Sequence, residues 1–130
     1  MKRTLLLISA ISVFATVCSA QDDAVYSSWM KTMPSSVMAI NAAIAAKDNP
    51  TVTAEANKMA ATFDQVAGFW TARKVDDAVA FAKTARDAAK TLASATDSEA
   101  QTAALKTVQA QCGQCHMAHR GGGRGAFVIK

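Results

Sequence analysis

The chain has 130 residues, enough for one domain, with 51% hydrophobic and 18% charged side chains, the balance of a folded, water-compatible protein. Fourteen basic and ten acidic side chains give +4, and no basic stripe is interleaved with aromatics, which argues against nucleic-acid binding. Alanine is abundant and aromatics make up only 6%, so the first expectation is an all-α domain.

Residues 1–20 read as a secretory signal peptide. Lys2 and Arg3 give a positive start, Leu5 to Val17 is apolar and broken only by Ser and Thr, and Cys18-Ser19-Ala20 supplies small residues before Gln21. An uncleaved anchor is the rival reading, but the run is well short of the roughly 20 residues a spanning helix needs. No stable membrane insertion is expected once the leader is gone. A lipidated Cys18 is a third reading, disfavoured by the bulky Val17 before it. Cleavage leaves twelve basic side chains against ten acidic and reduces three cysteines to two.

No internal repeat of fixed period is visible. Four stretches instead show apolar residues at alternating steps of three and four, the spacing of helices. The first holds Tyr26, Met30, Met33, Val37, Ile40 and Ile44. The second holds Val52, Ala56, Met59, Phe63, Val66 and Trp70. The third holds Val75, Ala78, Ala82, Ala85, Ala89 and Leu92, and the fourth Leu105, Val108, Cys112 and Cys115. This pattern predicts an antiparallel four-helix bundle over residues 21–120.

Boundary signals agree with that reading. Asn49 is the expected N-cap of the second helix, with Pro50 at its first position. Gly68 marks a stop for it. Asp76 and Asp77 place negative charge in the first turn of the third helix. Thr96 and Glu99 fit a capping box for the fourth. Pro34 lies inside the first stretch and predicts a kink or a new start there. Residues 121–130 open with Gly121-Gly122-Gly123-Arg124-Gly125 and are expected to form a flexible basic tail.

The chemistry lies in Cys112-Gly113-Gln114-Cys115-His116. On a helix the two thiols fall on one face about a turn apart, as thioether bonds to two haem vinyl groups require. The histidine that follows aims its imidazole at the iron. C-x-x-C-H reads as c-type haem attachment, one covalent haem c per chain. Zinc is arithmetically open, since His119 adds a fourth donor, but four ligands from eight residues of one helix do not readily converge on a tetrahedral ion. A thioredoxin-like dithiol belongs beside a βαβ pattern, which is lacking here. Plain core cysteines would leave an exported protein with two unpaired thiols.

A C-terminal C-x-x-C-H on the last of four helices resembles the class II c-type cytochromes, the cytochrome c-prime family. Arg120 fits the family's basic position, while His119 stands where Phe or Tyr is usual. The resemblance covers about Asp22 to Arg120 and implies an antiparallel four-helix bundle with haem attached to the C-terminal helix. In low-spin members a first-helix methionine fills the sixth iron position, and those proteins carry electrons. Trp29-Met30-Lys31 with Met38-Ala39-Ile40 resembles that pattern and puts Met30 at the ligand position, with Met33 a rival on the same seam. High-spin members leave the position open and bind NO or CO.

The expectation is therefore a periplasmic monohaem electron carrier rather than an enzyme, held at Cys112 and Cys115, with His116 and Met30 as axial ligands. Its partners would be periplasmic redox proteins. The alternatives are a five-coordinate NO/CO-binding protein and a zinc-stabilised helical module. Family members often pair through their first two helices, which leaves a homodimer open. Trp29, Phe63, Phe69 and Trp70 are candidates either for haem-pocket walls or for plain core. Arg120 and Arg124 are candidates either for the haem edge or for a solvated helix end.

Overall fold

The computed structural model describes residues 15–122 and 128–130, with side chains from Asp23 onward. Four helices follow one another: α1 (Ala15–Ala46), α2 (Asn49–Ala72), α3 (Asp76–Ser94) and α4 (Ser98–His119). Two short strands, β1 (Arg120–Gly121) and β2 (Val128–Ile129), close the chain. The all-α bundle expected from the spacing is the observed fold. Most of the expected signal peptide, residues 1–14, lies outside the described residues, and the backbone from Ala15 onward is continuous with α1.

The connections are short enough to force antiparallel neighbours. α1 ends with Lys47 in the left-handed region, φ 57°. The Asp48 N–H then reaches back to the Ala43 carbonyl and the Lys47 N–H to that of Ile44. The same closure ends α2 around Lys74, φ 58°, where the Val75 N–H bonds the Trp70 carbonyl and the Lys74 N–H that of Thr71. Both are Schellman turns built on lysine where glycine is usual.

Two caps differ from expectation by one residue. Asp48, not Asn49, caps α2, its carboxylate accepting from the Thr51 N–H and hydroxyl. Asn49 is diverted: its amide donates to the Thr96 carbonyl and accepts from Gln101 Nε2, tying the starts of α2 and α4 together. Asp97, not Thr96, caps α4 by accepting from the Ala100 N–H. α2 runs past Gly68 to Ala72 because Phe69 and Trp70 continue its buried face. α1 does not begin anew at Pro34 but passes through it.

The core follows the four stripes. One cluster joins Ile40, Met59, Phe63, Leu92, Leu105 and Val108 with the alanines of α3. A second, nearer the ends of α2 and α4, joins Tyr26, Val66, Phe69, Trp70, Ala78 and Ala82. α3 buries almost only alanine, together with Leu92, so it packs closely on α2 and α4. α1 lies mainly on α2 and barely touches α4, which leaves one seam of the bundle open.

The end of the tail is folded rather than loose. Val128–Ile129 pairs antiparallel with Arg120–Gly121, the Lys130 N–H donates to the His119 carbonyl at 2.9 Å, and Ile129 packs on the second cluster. Arg124 lies outside the described residues.

Candidate functional site

Val108 is the last buried residue of α4. From there the helix runs on along the open seam, so its apolar face meets a groove instead of a core. That is why Cys112, Cys115 and His116 are only half-buried although they continue the core stripe. Both cysteines are free thiols.

Two adjoining cavities share this face. The inner one, about 30 Å³, is lined by Tyr26, Met30, Phe63, Cys112, Cys115 and His116, among others. The outer one, about 410 Å³, lies between α1 and α4, where Met30, Met33, Pro34 and Val37 face Cys112 and His116. Ligand sites usually occupy about 300–1,000 Å³ with mostly apolar walls; the outer cavity fits that description, and the inner one is a small apolar recess beside it. The structure thus brings Met30 and His116 to one groove and keeps Met33 beside them. Phe63 walls both cavities, while Phe69 and Trp70 are buried in the core. Trp29 packs edge-on against Tyr26.

Behind His116 lies a third, smaller space of about 10 Å³, lined by Tyr26, Trp70, Cys115, His119, Arg120 and the tail residues Val128 and Ile129. Its floor is an aromatic cluster. Tyr26 stacks on Phe69 at 4.3 Å and accepts a hydrogen bond from Trp70 Nε1 at 3.1 Å. The Trp70 ring sits 5.2 Å from that of His119. His119 Nε2 lies 2.9 Å from Asp77 Oδ2, and since an ionised carboxylate only accepts, the ring donates.

Electrostatics suit a dry, uncharged face. Burial pushes the Cys115 thiol up to about 11, helped by Cys112 and Asp77, and burial also raises Cys112. Burial, with the Arg120 charge added, holds His116 below its ordinary value, which keeps the imidazole neutral, the form in which it ligates a metal. Burial raises Tyr26 to about 12 against the opposing bond from Trp70.

The donor set fits haem c: two thiols one turn apart on one helix, a neutral imidazole next to them, and an apolar groove with thioethers on its far wall. It does not resemble a zinc site, because among the described residues no three His, Cys, Asp or Glu side chains converge as metal ligands. The Asp77–His119 pair and the tail contacts were not evident from sequence. Asp77 is 42 positions from His119, although the apolar Val128 and Ile129 after a glycine run are a signal for a folded end. No helix among the described residues is long and apolar enough to cross a membrane. The chain matches no family model, no curated protein and no solved structure.

Proposed function

We propose that the chain is an exported monohaem c-type cytochrome that carries electrons, similar to the low-spin class II cytochromes. One haem c is joined at Cys112 and Cys115, with His116 as one axial ligand and Met30 as the sixth. The observation that carries this reading is the C-x-x-C-H face of α4 opening on an apolar groove with Met30 on the opposite wall. The bound haem supplies one-electron iron chemistry. The protein's own residues hold it, present neutral imidazole and thioether, and keep water away through Phe63, Val66 and Ala82. A thioether ligand favours ferrous iron and raises the potential, as a carrier needs. Export follows from residues 1–20 as leader, and the partners are periplasmic redox proteins. Cleavage before Gln21 would bring Asp23 into the first turn of the shortened α1, where a carboxylate favours the helix dipole.

A second reading, a five-coordinate protein that binds NO or CO, is supported by the length of the groove. Beyond Met30 it continues past Pro34 and Val37, leaving apolar space for a diatomic ligand.

Haem staining after denaturing electrophoresis, then spectra of the oxidised and reduced protein with and without CO, test both. Stain that survives denaturation, sharp low-spin bands and no response to CO are the expected result. A broad high-spin spectrum that shifts with CO would move the function to gas binding. Absence of stain would end the haem reading.

A further inference from the structure

The half of α4 that carries Cys112, Cys115 and His116 has little to hold it. No residue beyond Val108 is buried, and α1 scarcely touches this helix. Yet the helix stays regular to His119. His119 is where it is fastened. Its side chain is only 16% exposed, and it meets three separate elements: Asp77 on α3 through Nε2, the Trp70 ring on α2, and the Lys130 N–H through its carbonyl.

Asp77 is itself fixed. It stands in the first turn of α3, and its Oδ1 accepts from the Ala78 N–H at 2.9 Å while Oδ2 takes the histidine. One carboxylate oxygen is thus held by the backbone of α3 while the other takes the imidazole. His119 lies three residues after His116 and four after Cys115, so all three share one side of the final turn. Anchoring one fixes the rotation of the turn for the others. A phenylalanine at this position could stack on Trp70 but could not reach Asp77 with a donor.

We propose that His119 is a positioning residue: its bond to Asp77 clamps the last turn of α4 to α3 and so sets where His116 and Cys115 stand. The clamp belongs to the protein's own contacts, while its effect on an axial ligand rests on the haem reading.

The test uses the full chain with His119→Phe, Asp77→Ala and the double variant. The first readout is amide hydrogen exchange along α4 before haem loading. Loss of one bond to a charged group predicts about tenfold faster exchange in the last two turns. α2 and α3 should stay protected, and the double variant should be no faster than either single one. The second readout is the spectrum and potential after loading. Retained haem stain with weakened low-spin bands is expected. Unchanged exchange in both single variants overturns the clamp, as does equal acceleration through all four helices, which marks general destabilisation. If no haem is attached at all, the exchange result still decides the clamp, and the haem reading fails separately.

Discussion

Met30 and Met33 differ by less than one helical turn, yet each joins a different core cluster. Met30 packs against the cluster that holds Tyr26 and Trp70, and Met33 against the one that holds Ile40 and Phe63. Both line the groove facing His116. Truncating either half-buried side chain to alanine costs about 2 kcal/mol, the low end for core methionines, so stability will not separate them. Ligation will. Met30→Ala should make the reduced haem protein take CO, whereas Met33→Ala should leave it resistant. The opposite pattern would transfer the sixth ligand to Met33. At this scale the sequence was informative about placement: the spacing of Cys112, Cys115 and His116 predicts one helix face, and all three line one cavity. It was silent on the pairing of His119 with Asp77, which depends on the start of α3 lying beside the end of α4.

Among the elements, α3 shows how small side chains set distance. Ala78, Ala82, Ala85 and Ala89 are all at most 4% exposed, and their methyl groups let α2 and α4 approach. Ala89→Leu should therefore overpack this layer and cost about 1–3 kcal/mol, read as a lower denaturant midpoint in the unchanged bundle. A change below about 0.5 kcal/mol would mean that the layer is looser than its burial implies. The helices themselves were legible because each stripe keeps a single period from end to end. Their ends were less so. Asp48 competes with Asn49, and Asp97 with Thr96, as neighbouring capping residues, and the winner is decided by contacts between helix starts, such as Asn49 with Gln101. Gly68 misleads for the opposite reason: it is exposed with open space around it, so the buried residues on either side carry the helix through.

For the whole molecule, burial of titratable groups sets a pH window. Cys115 has its thiol raised from 9.0 to about 11. Its contribution is fully present below pH 9 and is lost as pH rises towards 11, since the unfolded chain ionises first. His116 is held below its ordinary 6.5. As pH falls below that value the unfolded chain takes up a proton that the folded chain resists, and stability drops. The haem-free chain should thus be most stable at neutral to mildly alkaline pH, and denaturant midpoints at about pH 5, 7.5 and 10 should pass through a maximum. Cys115→Ser should shrink the alkaline arm and leave the acid arm unchanged, the remaining alkaline loss coming from Cys112 and Tyr26, which burial also raises. A midpoint still rising at about pH 10 would contradict the buried-thiol account.

The open seam between α1 and α4 has a bearing on how the molecule is put together. α2, α3 and α4 pack in succession on one another, while α1 rests mainly on α2. Arg73 at the end of α2 ties α1 in place, bonding Asp23 at 2.6 Å while lying over the Phe69 ring. If haem is joined to α4 as proposed, the weak grip of α1 on α4 would let a rigid, planar group be seated without prying apart the packing of α2, α3 and α4.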